Sequence, residues 1–397
     1  MDCMFANRYL QKSNNSEWID EPLYPDTGVI VVIPCFREPD IIKTLESLTI
    51  CDLPACSTEV IVLINHSAAS SEEVKLFNEK TASEVKGWIR KNNMPELRFI
   101  ASGPVEFPSK WAGAGVARKR GMDNAVRRFN LLSRPQGIIL SLDADTIVES
   151  NYLTSVVEHF TFHPADAGAV ISFKHQTEGL TGKHLQGILL YEQYIMYYRN
   201  ALRYTGYPFP IFTVGSAFAV RADAYVKRGG MNRRQAGEDF YFLQNLVQLG
   251  NVGEIIQTTV HPSARLSDRV PFGTGPVLNR WMCGEEDLTK TYNFRAFIDL
   301  RQFFVIRNKL FRITGDEFFH HIRVLPESLQ KFLIQDDFLK ELNDLNRNCS
   351  TLRTFEIRFF QKFNAFKILK YLNYVHNNFY EKAELKSQID MLNINLQ

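Results

Sequence analysis

The chain has 397 residues, 45% of them hydrophobic and 23% charged, a globular composition that excludes disorder and leaves room for a large core. A net charge of +2 gives no overall basic field, so no nucleic-acid partner is expected and any basic surface is local. Six cysteines without a C-x-x-C pair fit a reduced cytosolic protein better than a disulfide framework or a zinc site.

Residues 1–25 read as a polar arm in which Pro22 and Pro25 discourage regular structure. The opening "MDCMFANRYLQKSNNSEW" lacks a basic start followed by an apolar run, so no signal peptide is expected. From Gly28 the pattern changes. "GVIVVIP" predicts a buried strand, and "EPDIIKTLESL" a helix with Ile41, Ile42, Leu45 and Leu48 on one face. "EVIVLI" is a second strand, 70–90 a helix, "ELRFIAS" a third strand, "AGVARKRGMDNAVRRF" a helix and "GIILSL" a fourth strand. Apolar runs of this length are far too short to span a bilayer as helices. Strands alternating with helices imply a largely parallel α/β sheet covered on both faces, with ligands bound beyond the carboxyl ends of the strands. Further on, "GAVISF", "TVGSAFAVR" and "GEIIQTTV" read as strands, and 185–204 as an aromatic-rich helix. The chain beyond about Phe294 is helical and rich in phenylalanine.

Four stretches carry residues suited to chemistry. In "LDADT", Asp143 and Asp145 flank Ala144 just past the fourth strand, so both carboxylates face one side of an extended chain. Such a pair repels unless a cation lies between, and oxygen ligands suit Mg²⁺ or Mn²⁺; a helix N-cap and a turn acid are the plainer reading. In "AGEDFYFLQNLVQLG", Glu238 and Asp239 open a helix, where acids stabilise the macrodipole or one of them serves as a general base. In "VHPSARLSDRVPFGTG", an imidazole at His261 precedes Arg265 and Arg269 in a glycine-bearing loop that suits phosphate oxygens, or is a solvated surface loop. In "SKWAGAGVARKRG", Arg118 stands where a dinucleotide fingerprint needs its third glycine, which leaves a basic helix entrance able to face a diphosphate.

Taken in order, "VVIPCFREPDIIKTLESL", "LDADT" and "VGSAFAVRADAYVKRGGMNRRQAGEDFYFLQNLVQLG" resemble glycosyltransferase family 2, over about Thr27 to Arg269. The resemblance implies a GT-A fold, a Rossmann-like mixed sheet of the nucleotide-diphospho-sugar transferases, with an α-helical C-terminal extension. The expected domains are an arm at 1–25, a catalytic domain at 26–285 and a helical region at 286–397. It further implies a nucleotide-diphosphate sugar donor, Mn²⁺ or Mg²⁺, inversion, and a glycan, glycolipid or small hydroxyl acceptor in bacterial-type synthesis. Carried over by position, Asp143 would contact the ribose, Asp145 and His261 would ligate the metal, and Arg118 would lie near the nucleotide. The backbone at Pro34 with Glu38 would border base and ribose, and Asp239 would be the base. The sequence departs from the family where "VLINHSAAS" puts Ile64 and Asn65 in place of an acidic pair, leaving Asn65 as a neutral base reader. "VLNRW" keeps only Arg280 and Trp281 of the processive members' motif. A nucleotidyltransferase making a nucleotide sugar, or a non-catalytic glycan-binding scaffold, are the rival readings.

"FEIRFFQKFNAFKILKYLNYVHNNFY" is a basic amphipathic stretch. Core packing through Phe359, Phe363 and Phe366 is its plainer reading. The alternative lays it on the inner face of a membrane, as a peripheral contact of an otherwise cytoplasmic enzyme.

Overall fold

The computed structural model describes residues 4–13, 18–211, 213–233, 237–268 and 273–396. They divide into two compact units, one of Met1–Leu180 with Thr213–Arg280, the other of Thr181–Phe212 with Trp281–Gln397. The stretch Thr181–Phe212 thus clusters with the C-terminal helices and not with the strands that flank it in sequence.

The first unit begins with helix α1 (Asn7–Lys12), where the sequence suggested only an irregular arm. Side chains from elsewhere fix that turn: Asn130 accepts the Ala6 amide, and the Tyr9 hydroxyl donates to Asp123 at 2.6 Å. Then come β1 (Thr27–Cys35), α2 (Ile41–Thr49), β2 (Ser57–Ser67), α3 (Glu72–Asn92), β3 (Leu97–Phe107), α4 (Ala114–Leu131) and β4 (Ile138–Ser141). A two-residue β5 (Ile147–Val148), α5 (Tyr152–Phe162) and β6 (Gly168–Phe173) follow. Helix α6 (Gly182–Tyr204) belongs to the second unit. The first unit resumes with β7 (Phe218–Arg221), α7 (Ala222–Lys227), α8 (Glu238–Leu246) and β8 (Val252–His261), and α9 (Thr274–Cys283) comes next.

The strands form one eight-stranded sheet in the order β3-β2-β1-β4-β7-β6-β8-β5. Parallel pairing joins β3, β2, β1 and β4, and also β6 with β8. Strand β7 runs antiparallel to β4 and β6, and β5 antiparallel to β8, so the sheet is mixed, as expected of the fold class. Val29, Val31, Ile33, Val60, Val62, Ile64 and Leu140 lie in one core with Ile41, Leu45 and Leu48 of α2. Each such side chain contributes roughly 1.5–3 kcal/mol by leaving water, which is why β1 and β2 read as unbroken apolar runs. Strand β7 is shorter than "TVGSAFAVR" suggested. The Ala217 amide turns back to the Val214 carbonyl, which ends the extended run before Phe218.

In the second unit, β9 (Lys290–Thr291), α10 (Arg295–Ile306), α11 (Gly315–Ile322), α12 (Glu327–Gln335), α13 (Phe338–Asn348), α14 (Leu352–Lys362), α15 (Ala365–Asn378), β10 (Ala383–Glu384) and α16 (Leu385–Leu396) follow in order. Phe359 and Phe363 are fully buried, packed on Phe303 and Phe338, while Phe366 is half-buried. Lys362 pairs with Asp344, Lys367 with Asp336 and Glu341, and Lys370 with Asp336. The face that a membrane-lying helix would offer is therefore spent on the core. Among the described residues, no helix is long and apolar enough to cross a membrane.

Candidate active site

Strand β4 ends at Ser141, and the chain runs on through Leu142 into Asp143-Ala144-Asp145. Three hydrogen bonds fix the peptide planes of that triplet. The Asp143 carbonyl accepts from the Thr146 amide (3.1 Å), the Ala144 carbonyl from the Thr44 hydroxyl of α2 (2.9 Å), and the Asp145 carbonyl from the Gln176 side chain (2.9 Å). The same Gln176 nitrogen donates to the His261 carbonyl at 2.6 Å, which ties the end of β8 to the acidic triplet. The two carboxyl side chains stay partly exposed, 35% at Asp143 and 22% at Asp145, so a ligand can reach both.

Arg118, in the second turn of α4, is the hub. It is 2% exposed. Its Nε donates to the Ser141 hydroxyl (2.8 Å), its Nη2 to Asp143 Oδ1 (2.5 Å), and its Nη1 pairs with Glu238 at the start of α8. The Ser141 hydroxyl in turn donates to the Gly215 carbonyl (2.6 Å). A Cβ on Gly215 would fall 2.6 Å from Arg118 Nη2 and 3.2 Å from Asp143 Oδ2, so a larger residue there would displace the guanidinium. The chain enters α8 through Gly237 at φ +69°, which sets the direction of the acids that follow.

The two acids of that helix are not equivalent. Glu238 is 3% exposed and committed to Arg118. Asp239 is half-buried, and its Oδ1 accepts the Phe240 amide at 2.7 Å. Burial raises the Asp239 pKa above the usual aspartate value; Arg118 opposes that shift and Asp143 adds to it.

A second arginine serves the other half of the site. Arg265 donates from Nη1 to Glu38 Oε1 (2.7 Å), and its Nη2 bonds Glu38 Oε2 and lies 3.0 Å from Asp145 Oδ2. Glu38, just past β1, is 2% exposed. Pro34 sits in β1 opposite Leu63, and Asn65 of β2 is buried, its amide nitrogen donating to the Cys35 and Leu63 carbonyls. The Asn65 donors are therefore spent on the backbone.

The three expected metal ligands are not gathered. His261 Nδ1 lies 3.0 Å from the Lys174 carbonyl and Nε2 3.4 Å from Glu149 Oε1. Among the described residues, no three His, Cys, Asp or Glu side chains cluster to hold a metal ion. The remaining donor set, Asp143 and Asp145, still fits Mg²⁺ or Mn²⁺ in a nucleotide site, where such ions keep water and need only one or two carboxylates beside ligand phosphates. Arg269 lies outside the described residues.

Sequence reading missed Gln176, Thr44, Ser141 and Gly215. Only Gly215 carried a signal, a glycine within a strand-like run that marks close backbone approach.

The mixed sheet with an acid pair at its rim has the architecture of a GT-A-like fold. Residues 138–326 match the family model described as glycosyl transferase family group 2. The protein is an enzyme of the sugar-transferring class. No curated protein matches the chain. Among solved structures, the chain is similar to S. aureus TarS 1–349 in complex with UDP-GlcNAc, at 15% identity over 84% of this chain and 92% of that one, with a TM-score of 0.42. TarS 1–349 alone gives 13% identity over 83% and 88%, with a TM-score of 0.41. A mannosyltransferase, PcManGT from Pyrobaculum calidifontis in complex with GDP-Man and Mn²⁺, gives 14% over 98% and 89%, with a TM-score of 0.39.

Proposed function

We propose that the protein moves a sugar from a nucleotide-diphosphate sugar to a hydroxyl acceptor, with inversion at the anomeric carbon and with a divalent cation at Asp145. The observation that carries this is Arg118, which joins Asp143 of the strand-end triplet to Glu238 beside the candidate base. Residues from three distant segments thereby meet where an α/β sheet binds its ligands.

Asp239, ionised, removes the proton of the acceptor hydroxyl as that oxygen attacks the anomeric carbon. The bond from that carbon to the diphosphate breaks on the opposite face, and the leaving group takes the electron pair. Arg118 and Arg265 supply positive charge near the departing diphosphate, where negative charge grows. A cation bound by Asp145, with Asp143 beside it, would add Lewis-acid stabilisation to the same leaving group. Glu238 is held by Arg118 and positions α8, so Asp239 and not Glu238 is assigned as base.

Thermal unfolding measured with a panel of nucleotide-diphosphate sugars, with and without Mn²⁺, tests this. One donor should raise the melting temperature more with Mn²⁺ than without, and the same donor should be slowly hydrolysed. A panel in which no donor stabilises the protein and none is hydrolysed would refute the reading.

A further inference from the structure

We infer that Arg265 is the resident counter-ion of the strand-end acids and keeps the place of a divalent cation until a donor diphosphate arrives. This deepens the sugar-transfer reading and rests on it. One edge of the guanidinium spans two carboxylates from separate loops: both oxygens of Glu38 and, at 3.0 Å, Oδ2 of Asp145. Asp40 adds a longer contact at 3.7 Å. Glu38 is almost wholly buried, and a carboxylate so placed is tolerated only with a partner cation. Arg118 is already committed to Asp143 and Glu238.

A divalent ion in a nucleotide site needs carboxylate oxygens at about 2.0–2.1 Å. It and the guanidinium compete for the Asp145 carboxylate, each weakening the other's hold because like charges repel. Arg265 is the partner of the two that can withdraw. Its side chain is 28% exposed, and it comes from the loop after β8, whereas Asp145 is pinned through its carbonyl. When a diphosphate enters, the guanidinium exchanges carboxylate oxygens for phosphate oxygens, which it binds in the same forked manner. Asp145, released by the guanidinium, would then be available to hold a divalent cation. Cation and diphosphate therefore bind cooperatively, each weakly alone, because each alone leaves a charge uncompensated.

Titration with Mn²⁺ alone, following free ion by electron paramagnetic resonance, decides the matter. Arg265→Gln and Arg265→Lys should each bind Mn²⁺ more tightly than the wild type, about tenfold for the glutamine variant. A lysine ammonium cannot span both carboxylates, so its gain should be smaller. Adding Asp145→Asn to Arg265→Gln should remove the gain. If the glutamine variant fails to fold with Glu38 unpaired, the lysine variant carries the comparison. Equal or weaker Mn²⁺ binding by the folded variants, or no binding by any protein, overturns the inference. A second titration adds UDP or GDP to the wild type. Failure of both to bind more tightly with Mn²⁺ than without removes the claimed cooperativity with the diphosphate, whereas the sugar-transfer reading stands or falls on the full donor panel.

Discussion

Glu238 and Asp239 are neighbours on one helical turn, yet the fold gives them opposite work. Glu238 neutralises a buried arginine, whereas Asp239 keeps a pKa lifted by burial and by Asp143 against the pull of Arg118. Replacing Asp239 with Asn should lower kcat by about 100- to 10,000-fold while donor affinity stays close to wild type, the mark of a lost general base. Equal losses in donor binding and turnover would assign Asp239 to binding instead. A base works only when ionised, so activity is present above its pKa and lost as pH falls through it. Since burial raises that pKa, the acid limb of the rate profile should lie above the value of an exposed aspartate, about 3.9. A limb at or below that value would remove Asp239 from the role. Gly215 admits an equally local test. Gly215→Ala places a carbon 2.6 Å from Arg118 Nη2, so the guanidinium that holds Ser141, Asp143 and Glu238 must shift. Overpacking of this kind costs roughly 1–3 kcal/mol of stability, and donor affinity should fall with it as Arg118 leaves Asp143. Calorimetric titration with the donor would show unchanged affinity if the contact is unimportant.

At the scale of elements, α4 connects the site to the frame. Arg118 near its start reaches the acids, and Arg128 near its end forms a buried pair with Glu59 of β2, Nε to Oε2 at 2.5 Å and Nη2 to Oε1 at 2.8 Å. Arg128 also donates to the carbonyls of Glu21 and Pro22, so the N-terminal segment is laced to the same helix. Glu59→Gln leaves a guanidinium buried without its charge partner and should cost about 3–5 kcal/mol. The double variant Glu59→Gln, Arg128→Met should recover part of that loss in urea unfolding; a single variant within experimental error of the wild type would show the pair to be expendable. The sequence disclosed α4 and β1 to β4 because burial on both faces writes long apolar runs and burial on one face writes a helical period. It did not disclose the helix at 7–12, whose anchors Asp123 and Asn130 lie more than a hundred positions away in the chain. The acids of the site were legible for a similar reason, as local motifs at strand and helix ends. Arg265, Glu38 and His261 were legible singly, but their pairings were not: Arg265 and Glu38 are separated by 227 positions and Gln176 and His261 by 85, and no local pattern records such pairings.

Across the whole molecule, two cores are built on different principles. The first unit buries aliphatic strand residues under helices. The second buries rings: Phe303, fully buried, has Phe338, Phe359 and Phe363 centroids at 5.6, 5.6 and 5.3 Å. A buried carboxylate, Asp299, completes this core by accepting from Ser328, Tyr371 and Tyr380. Helix α6, although it lies between β6 and β7 in sequence, clusters with this second unit. Phe303→Ala should therefore cost about 3–5 kcal/mol, felt first where the rings meet. Hydrogen exchange read by segment gives the test. Amides of α10, α13 and α14 should lose protection, while those of β1, β2 and β4 keep theirs, because each unit has its own buried apolar set and local unfolding follows such sets. Uniform loss across both units would mean that the chain unfolds as one cooperative body and that the aromatic core stabilises the strands as much as the helices.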